Sequence, residues 1–167
     1  MNAERLRAAQ APKKALYKEN PTAGVRTLRS WGRVNQDAVT FTLESGKPGV
    51  PAGLHEAAGG DGSAACSGDM LLEALVSCAG VTLAAVSTSM GIELKDARVS
   101  AEGDMDFRGT LGVARDVPVG FTALRLKFSI LSDAPAEKLQ KLVELSERYC
   151  VVLQTLAQSH KVEVALE

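Results

Sequence analysis

Apolar residues are spread unevenly along this chain. From Asp69 to Val86 they run almost without a break, as Asp-Met-Leu-Leu-Glu-Ala-Leu-Val-Ser-Cys78-Ala-Gly-Val-Thr-Leu-Ala-Ala-Val. Asp69, Glu73 and Ser77 recur every four positions, a narrow polar stripe on an otherwise apolar cylinder. The pattern predicts a helix from about Ser67, a good N-cap residue, to about Met90. Asp69 would sit in its first turn and Gly91 would cap its end. A helix this apolar must be buried on nearly all sides. A chain of this size can hardly wrap it alone, so burial between a sheet and a second subunit is expected.

Elsewhere the period is two. Val25–Leu28 and the segment 33–43 alternate apolar with polar residues, with Asn35, Gln36 and Asp37 supplying turn chemistry. Ala97–Gly103 and Phe121–Ile130 read as further strands. In the latter, Leu124, Leu126, Phe128 and Ile130 face one side, and Arg125, Lys127 and Ser129 the other. Residues 45–67 form a long glycine-rich loop, and residues 108–120 a connection with glycine and proline. Pro135 opens a second amphipathic helix that carries Leu139, Leu142, Val143 and Ser146 on one face. Cys150 falls at its end, or at a break before a short helix from Val151 to Gln158. Lys161–Leu166 alternates again and is expected to close the chain as a strand. Residues 1–20 read as an arm and 21–167 as a single domain. Strands, a long helix, strands, helices and a last strand follow one another without β-α-β alternation, so the class is α+β.

Composition narrows the function. The chain has 167 residues, with 19 basic and 20 acidic side chains and a net charge of −1. That balance offers no electrostatic reason for a nucleic acid or an anionic membrane as partner. Arg5, Arg7, Lys13, Lys14 and Lys18 read as a solvated arm. The apolar run is interrupted by Glu73, Ser77 and Thr82 and is short for a membrane span. The first ten residues lack the apolar core of a secretory signal, which makes the cytoplasm the default location. In that reducing compartment a pair among Cys66, Cys78 and Cys150 would be transient and catalytic rather than a static staple.

No P-loop, dinucleotide fingerprint, Cys-x-x-Cys or His-Glu-x-x-His motif is present, and no cofactor is expected. His55, Cys66 and Cys78 match no usual zinc spacing, so no metal is expected either. The cysteines remain. Cys78 in an apolar helix is either a small core hydrophobe or a shielded nucleophile, and Cys150 beside Tyr149 and Val151 poses the same choice. Burial alone would make either thiol inert, so a nucleophile needs a cation nearby. None lies within a helical turn of Cys78; Arg26, Arg29 and Arg33 are the candidates.

The segment Asp69–Gly80 with Cys78 resembles the central-helix signature of the OsmC/Ohr family. Gly91-Ile-Glu-Leu continues as that family's strand does, and Cys150 with Gln154-Thr155-Leu156 is similar to its second cysteine motif. The resemblance covers roughly residues 24–166. It implies an OsmC-like α+β fold with antiparallel sheets wrapped around a long central helix, in an intertwined homodimer with active sites at the interface. It implies a thiol peroxidase that reduces organic hydroperoxides. Cys78 would be the peroxidatic thiolate and Cys150 the resolving thiol, recycled by an external dithiol reductant. Arg29, or else Arg26, would hold the thiolate, and an acid would hold the arginine. The family's glutamate falls on Gly68, which leaves Asp69 as that acid. Val151 stands where the family has proline, and Cys66 is an extra thiol. The alternatives are a non-catalytic protein with an apolar interface pocket lined by Leu72, Leu75 and Val76, or a thiol redox sensor.

Overall fold

The computed structural model describes residues 51–111 and 114–166, the backbone of 32–35 and 40–43, and the helical positions Glu4, Ala8, Ala11 and Glu19. The strand expected at 25–28 lies outside the described residues, and Arg26 and Arg29 with it.

The elements are β1 (Gly32–Asn35), β2 (Thr40–Leu43), β3 (Ala52–Gly53), β4 (Ala65–Cys66), α1 (Ser67–Met90), β5 (Asp96–Met105), α2 (Phe107–Thr110), β6 (Phe121–Leu131), α3 (Ala136–Tyr149) and α4 (Val151–Leu156). The strands form a sheet β1-β2-β3-β4 and a ribbon β5-β6. β1 runs antiparallel to β2 with Gly32 opposite Leu43, β2 antiparallel to β3, and β3 parallel to β4. The expected loop at 45–67 therefore holds two strands and a 3₁₀ turn at Glu56–Ala58. Two-residue strands are too short to print a period on the sequence.

Two compact units divide the described chain. One comprises residues 74–100 and 126–166; the other comprises 51–73 and 101–125 together with β1 and β2. In the first, Leu75, Ala79, Leu83 and Ser87 form the buried stripe of α1. They are spaced by four, so they stack along one face. Leu83 joins Ile92 and Leu142 in a buried cluster, against which Val86, Phe128, Ile130 and Leu139 pack. Each fully buried leucine contributes about 1.5–3 kcal/mol. The face expected of the second amphipathic helix is the observed one, with Leu142 and Ser146 buried on α3.

The end of α1 is set by Gly91, which takes φ +66°. Its N–H donates to Thr88 O at 3.2 Å, and Ile92 N–H donates to Ser87 O at 2.9 Å. These two bonds make a Schellman cap, and Ile92 turns back into the core beside Val86. In the second unit, Arg125 of β6 bonds Glu102 and both oxygens of Asp104 on β5. That pairing holds the Asp104 carboxyl below the usual carboxylate range.

One expectation is corrected. Residues 161–166 form no strand: Val162, Val164 and Leu166 are 77%, 91% and 102% exposed. Alternation makes a strand only where a neighbour takes up its backbone hydrogen bonds, and none of the described strands pairs with this segment. On a single chain α1 is buried along one face only. Its buried residues form one stripe, and Val81 is 72% exposed. At 24 residues α1 is long and apolar enough to cross a membrane by length and composition alone. Its buried stripe packs into the core of its unit.

Candidate active site

Cys78 lies on α1 directly before Ala79 of the buried stripe and is half-buried. Cys150 is fully buried, at 0% exposure, where α3 gives way to α4. It ends α3 by donating its N–H to Ser146 O at 3.0 Å, and starts α4 by accepting Gln154 N–H on its O at 2.9 Å. Ser146 is itself buried and satisfied, its hydroxyl bonded to Leu142 O at 2.7 Å. Between the two helices the Cys150 backbone is extended, with φ −74° and ψ 104°. No side chain caps α4. Its first amides are therefore free of intrahelical partners.

The Val152 and Val151 amides and the Cys150 thiol are donors that favour negative charge on the Cys78 sulfur. The Leu153 amide does the same for Cys150. Burial pushes the Cys78 thiol up, but these donors together with the Thr82 hydroxyl outweigh it and hold it below the ordinary thiol value. The same hydroxyl bonds Cys78 O at 2.8 Å. Cys150 moves the opposite way. Burial raises it, and donating to Cys78 raises it further, against the lowering by Leu153 N–H. Of the two thiols, Cys78 loses its proton first and Cys150 keeps its own. A thiolate beside a protonated thiol is what attack on an oxidant followed by disulfide closure requires.

Cys78 and Cys150, far apart in sequence, are thus brought together. Among the described residues the groups that lower Cys78 are the Val152 and Val151 amides, the Cys150 thiol and the Thr82 hydroxyl, none of them a cation. Backbone N–H groups leave no residue-type signal; the only trace in the sequence is the helix break at Cys150.

Asp69 and Cys66 sit elsewhere. In the second unit they line a cavity of about 330 Å³ with His55, Leu72, Met105 and Phe121. The His55 ring stacks on Phe107, with centroids 4.9 Å apart, and its Nδ1 accepts Ala57 N–H at 3.0 Å. Gly68 faces this cavity: a Cβ there would lie 3.4 Å from Phe121, 3.5 Å from Cys66 Sγ and 3.6 Å from Met105 Sδ. Among the described residues no three His, Cys, Asp or Glu side chains gather as a metal site.

A family profile described as OsmC-like protein matches residues 60–165. No curated protein matches the sequence. Among solved structures, an OsmC-like protein from Mycoplasma pneumoniae superposes with a TM-score of 0.65 at 14% identity, over 79% of this chain and 88% of that one. An organic hydroperoxide resistance protein OsmC from Legionella pneumophila gives 0.60 at 14%, over 79% and 91%. An organic hydroperoxide resistance protein from Elizabethkingia anophelis gives 0.61 at 16%, over 78% and 90%. At these identities the structures speak for the fold; the profile spans both cysteines and most of the described chain, and on it this chain belongs to the OsmC-like family.

Proposed function

We propose that this chain is a thiol peroxidase that reduces organic hydroperoxides. The observation that carries the reading is the pairing of the two thiols, with Cys78 held below and Cys150 above the ordinary thiol value. The Cys78 thiolate attacks the distal oxygen of ROOH and the O–O bond breaks. The alkoxide takes a proton and leaves as ROH, and Cys78 becomes a sulfenic acid. Cys150 then attacks that sulfur; a disulfide forms and water departs. An external dithiol returns both thiols to the reduced state. Two of the similar structures carry organic hydroperoxide resistance in their names. In this reading an arginine from the N-terminal segment, Arg29 first and Arg26 second, adds a cation to the amide donors, with Asp69 as its acidic anchor, and the chain works in the cytoplasm.

The test is consumption of cumene hydroperoxide with a dithiol reductant. The wild type turns over. Cys150→Ser consumes about one equivalent per chain and then stops, because Cys78 oxidises but no partner thiol closes the disulfide. Turnover at background with several dithiols in the wild type, or unimpaired cycling in Cys150→Ser, would refute this reading.

The working unit is a homodimer. Val81 on α1 and the alternating Val162, Val164 and Leu166 are apolar and exposed on a single chain, the kind of surface a second copy covers. Sedimentation is expected to give a dimer at micromolar concentration. A charge at Val81 or Val164 (Val81→Asp, Val164→Asp) shifts it toward monomer; a wild type that sediments as a monomer removes the dimer from the proposal.

A further inference from the structure

We propose that the Thr82 hydroxyl is a substrate-contacting donor of this site, turning from the Cys78 carbonyl to the hydroperoxide when the sulfur attacks. The inference rests on the reading of Cys78 as a peroxide nucleophile and names the side chain that meets the substrate beside it.

Helix geometry singles out this residue. The side chains that neighbour Cys78 on the surface of α1 are those three and four positions away, Ala74, Leu75, Val81 and Thr82. Only Thr82 among them carries a polar group. Cys78 and Thr82 are both half-buried, one turn apart, in a row directly beside the buried stripe of Leu75, Ala79, Leu83 and Ser87. Side chains on a helix lean toward the N-terminal turn, so Thr82 lies over Cys78. Its Oγ1 donates to Cys78 O at 2.8 Å.

That bond is surplus to the fold. Four residues along α1, Thr82 also gives its N–H to the same carbonyl in the helix ladder. The carbonyl keeps a partner when the hydroxyl turns away, so rotation about a single C–O bond frees a donor beside the sulfur. The reaction has a use for one. The Cys78 thiolate gives an electron pair to the distal oxygen of ROOH. The S–O bond forms, the O–O bond breaks, and negative charge gathers on the proximal oxygen, which leaves as RO− and takes a proton from water. A hydrogen bond to the peroxide strengthens as that charge develops and so lowers the barrier. Thr82 keeps its own proton throughout.

The experiment compares two reactions of the same sulfur, on the reduced full-length protein at one pH. Oxidation by cumene hydroperoxide and alkylation by iodoacetamide are each followed at Cys78 by mass spectrometry in a single turnover. Thr82→Val keeps the branched shape and removes the hydroxyl; Thr82→Ser keeps the hydroxyl. In Thr82→Val the ratio of the oxidation rate to the alkylation rate falls about tenfold, the effect of losing one hydrogen bond to a group that becomes charged. Thr82→Ser restores the ratio. An effect on the thiolate alone slows both reactions and leaves the ratio in place. A ratio unchanged in folded Thr82→Val, or one that falls equally in Thr82→Ser, overturns the proposal. Thr82→Ala repeats the deletion if valine disturbs the helix, and an unchanged ratio there counts equally. A wild type whose Cys78 alkylates but resists hydroperoxide sinks the proposed reaction and this donor with it. A wild type that oxidises, with no response to Thr82→Val, leaves the reaction standing without this donor.

Discussion

Cys78→Ser is expected to leave a folded protein whose hydroperoxide consumption falls to the uncatalysed background. The hydroxyl nearly matches the thiol in size, and the site is only half-buried, so stability changes little. The chemistry changes completely. A serine hydroxyl stays protonated where the Cys78 thiol is held below its ordinary value by Val152, Cys150, Val151 and Thr82. Oxygen also does not take up the distal peroxide oxygen as sulfur does. The sign of the pH dependence follows from the same donors. Wild-type single-turnover oxidation of Cys78 rises with pH and levels off below the ordinary thiol value of about 8.5. Cys150, held above its ordinary value, deprotonates later. Measurable turnover in Cys78→Ser, with the protein free of wild-type contamination, would show that another group carries the reaction.

Leu142→Ala carries the largest expected loss of stability. Leu142 is at 0% exposure in the cluster with Leu83 and Ile92, and Phe128, Ile130 and Leu139 pack around it. Removing its branched end costs transfer free energy and leaves a cavity that helices fixed at both ends cannot collapse. The expected cost is about 2–5 kcal/mol, a fall in Tm of about 10 °C. Its carbonyl holds the Ser146 hydroxyl, and Ser146 O in turn holds the Cys150 amide. Loosening α3 therefore also loosens the second thiol, and Cys150 alkylation should accelerate in the same variant. Urea unfolding that gives a cost under about 1 kcal/mol would mean that this cluster is not the centre of its unit.

The elements differ in how far the amino-acid order alone predicts them. The bounds of α1 are legible because several local signals agree: a serine at its start, an acid in the first turn, an apolar run and a glycine that takes a positive φ. β6 and α3 are legible for the same reason, since period two runs from Leu124 to Ile130 and period 3.6 through the 14 residues of α3. β3 and β4 are not, because two residues have no period. The segment 161–166 has the alternation of a strand without being one. A strand is a relation between two chains of atoms, and the pattern describes only one of them.

The site divides along the same line. Its two thiols stand out by residue type and by the contexts that resemble the OsmC/Ohr family. Their pairing, the order in which they lose protons and the amides that set that order come from the tertiary structure. Asp69 occupies the expected place in sequence, in the first turn of α1, and lines the cavity of the second unit. The sequence by itself determined the class of fold, the long helix and its cap, and which thiols are the candidates for the chemistry, because propensity, period and nucleophilicity belong to residues. Only the tertiary structure decided which donors surround the Cys78 sulfur, because hydrogen bonding and burial belong to the space between residues.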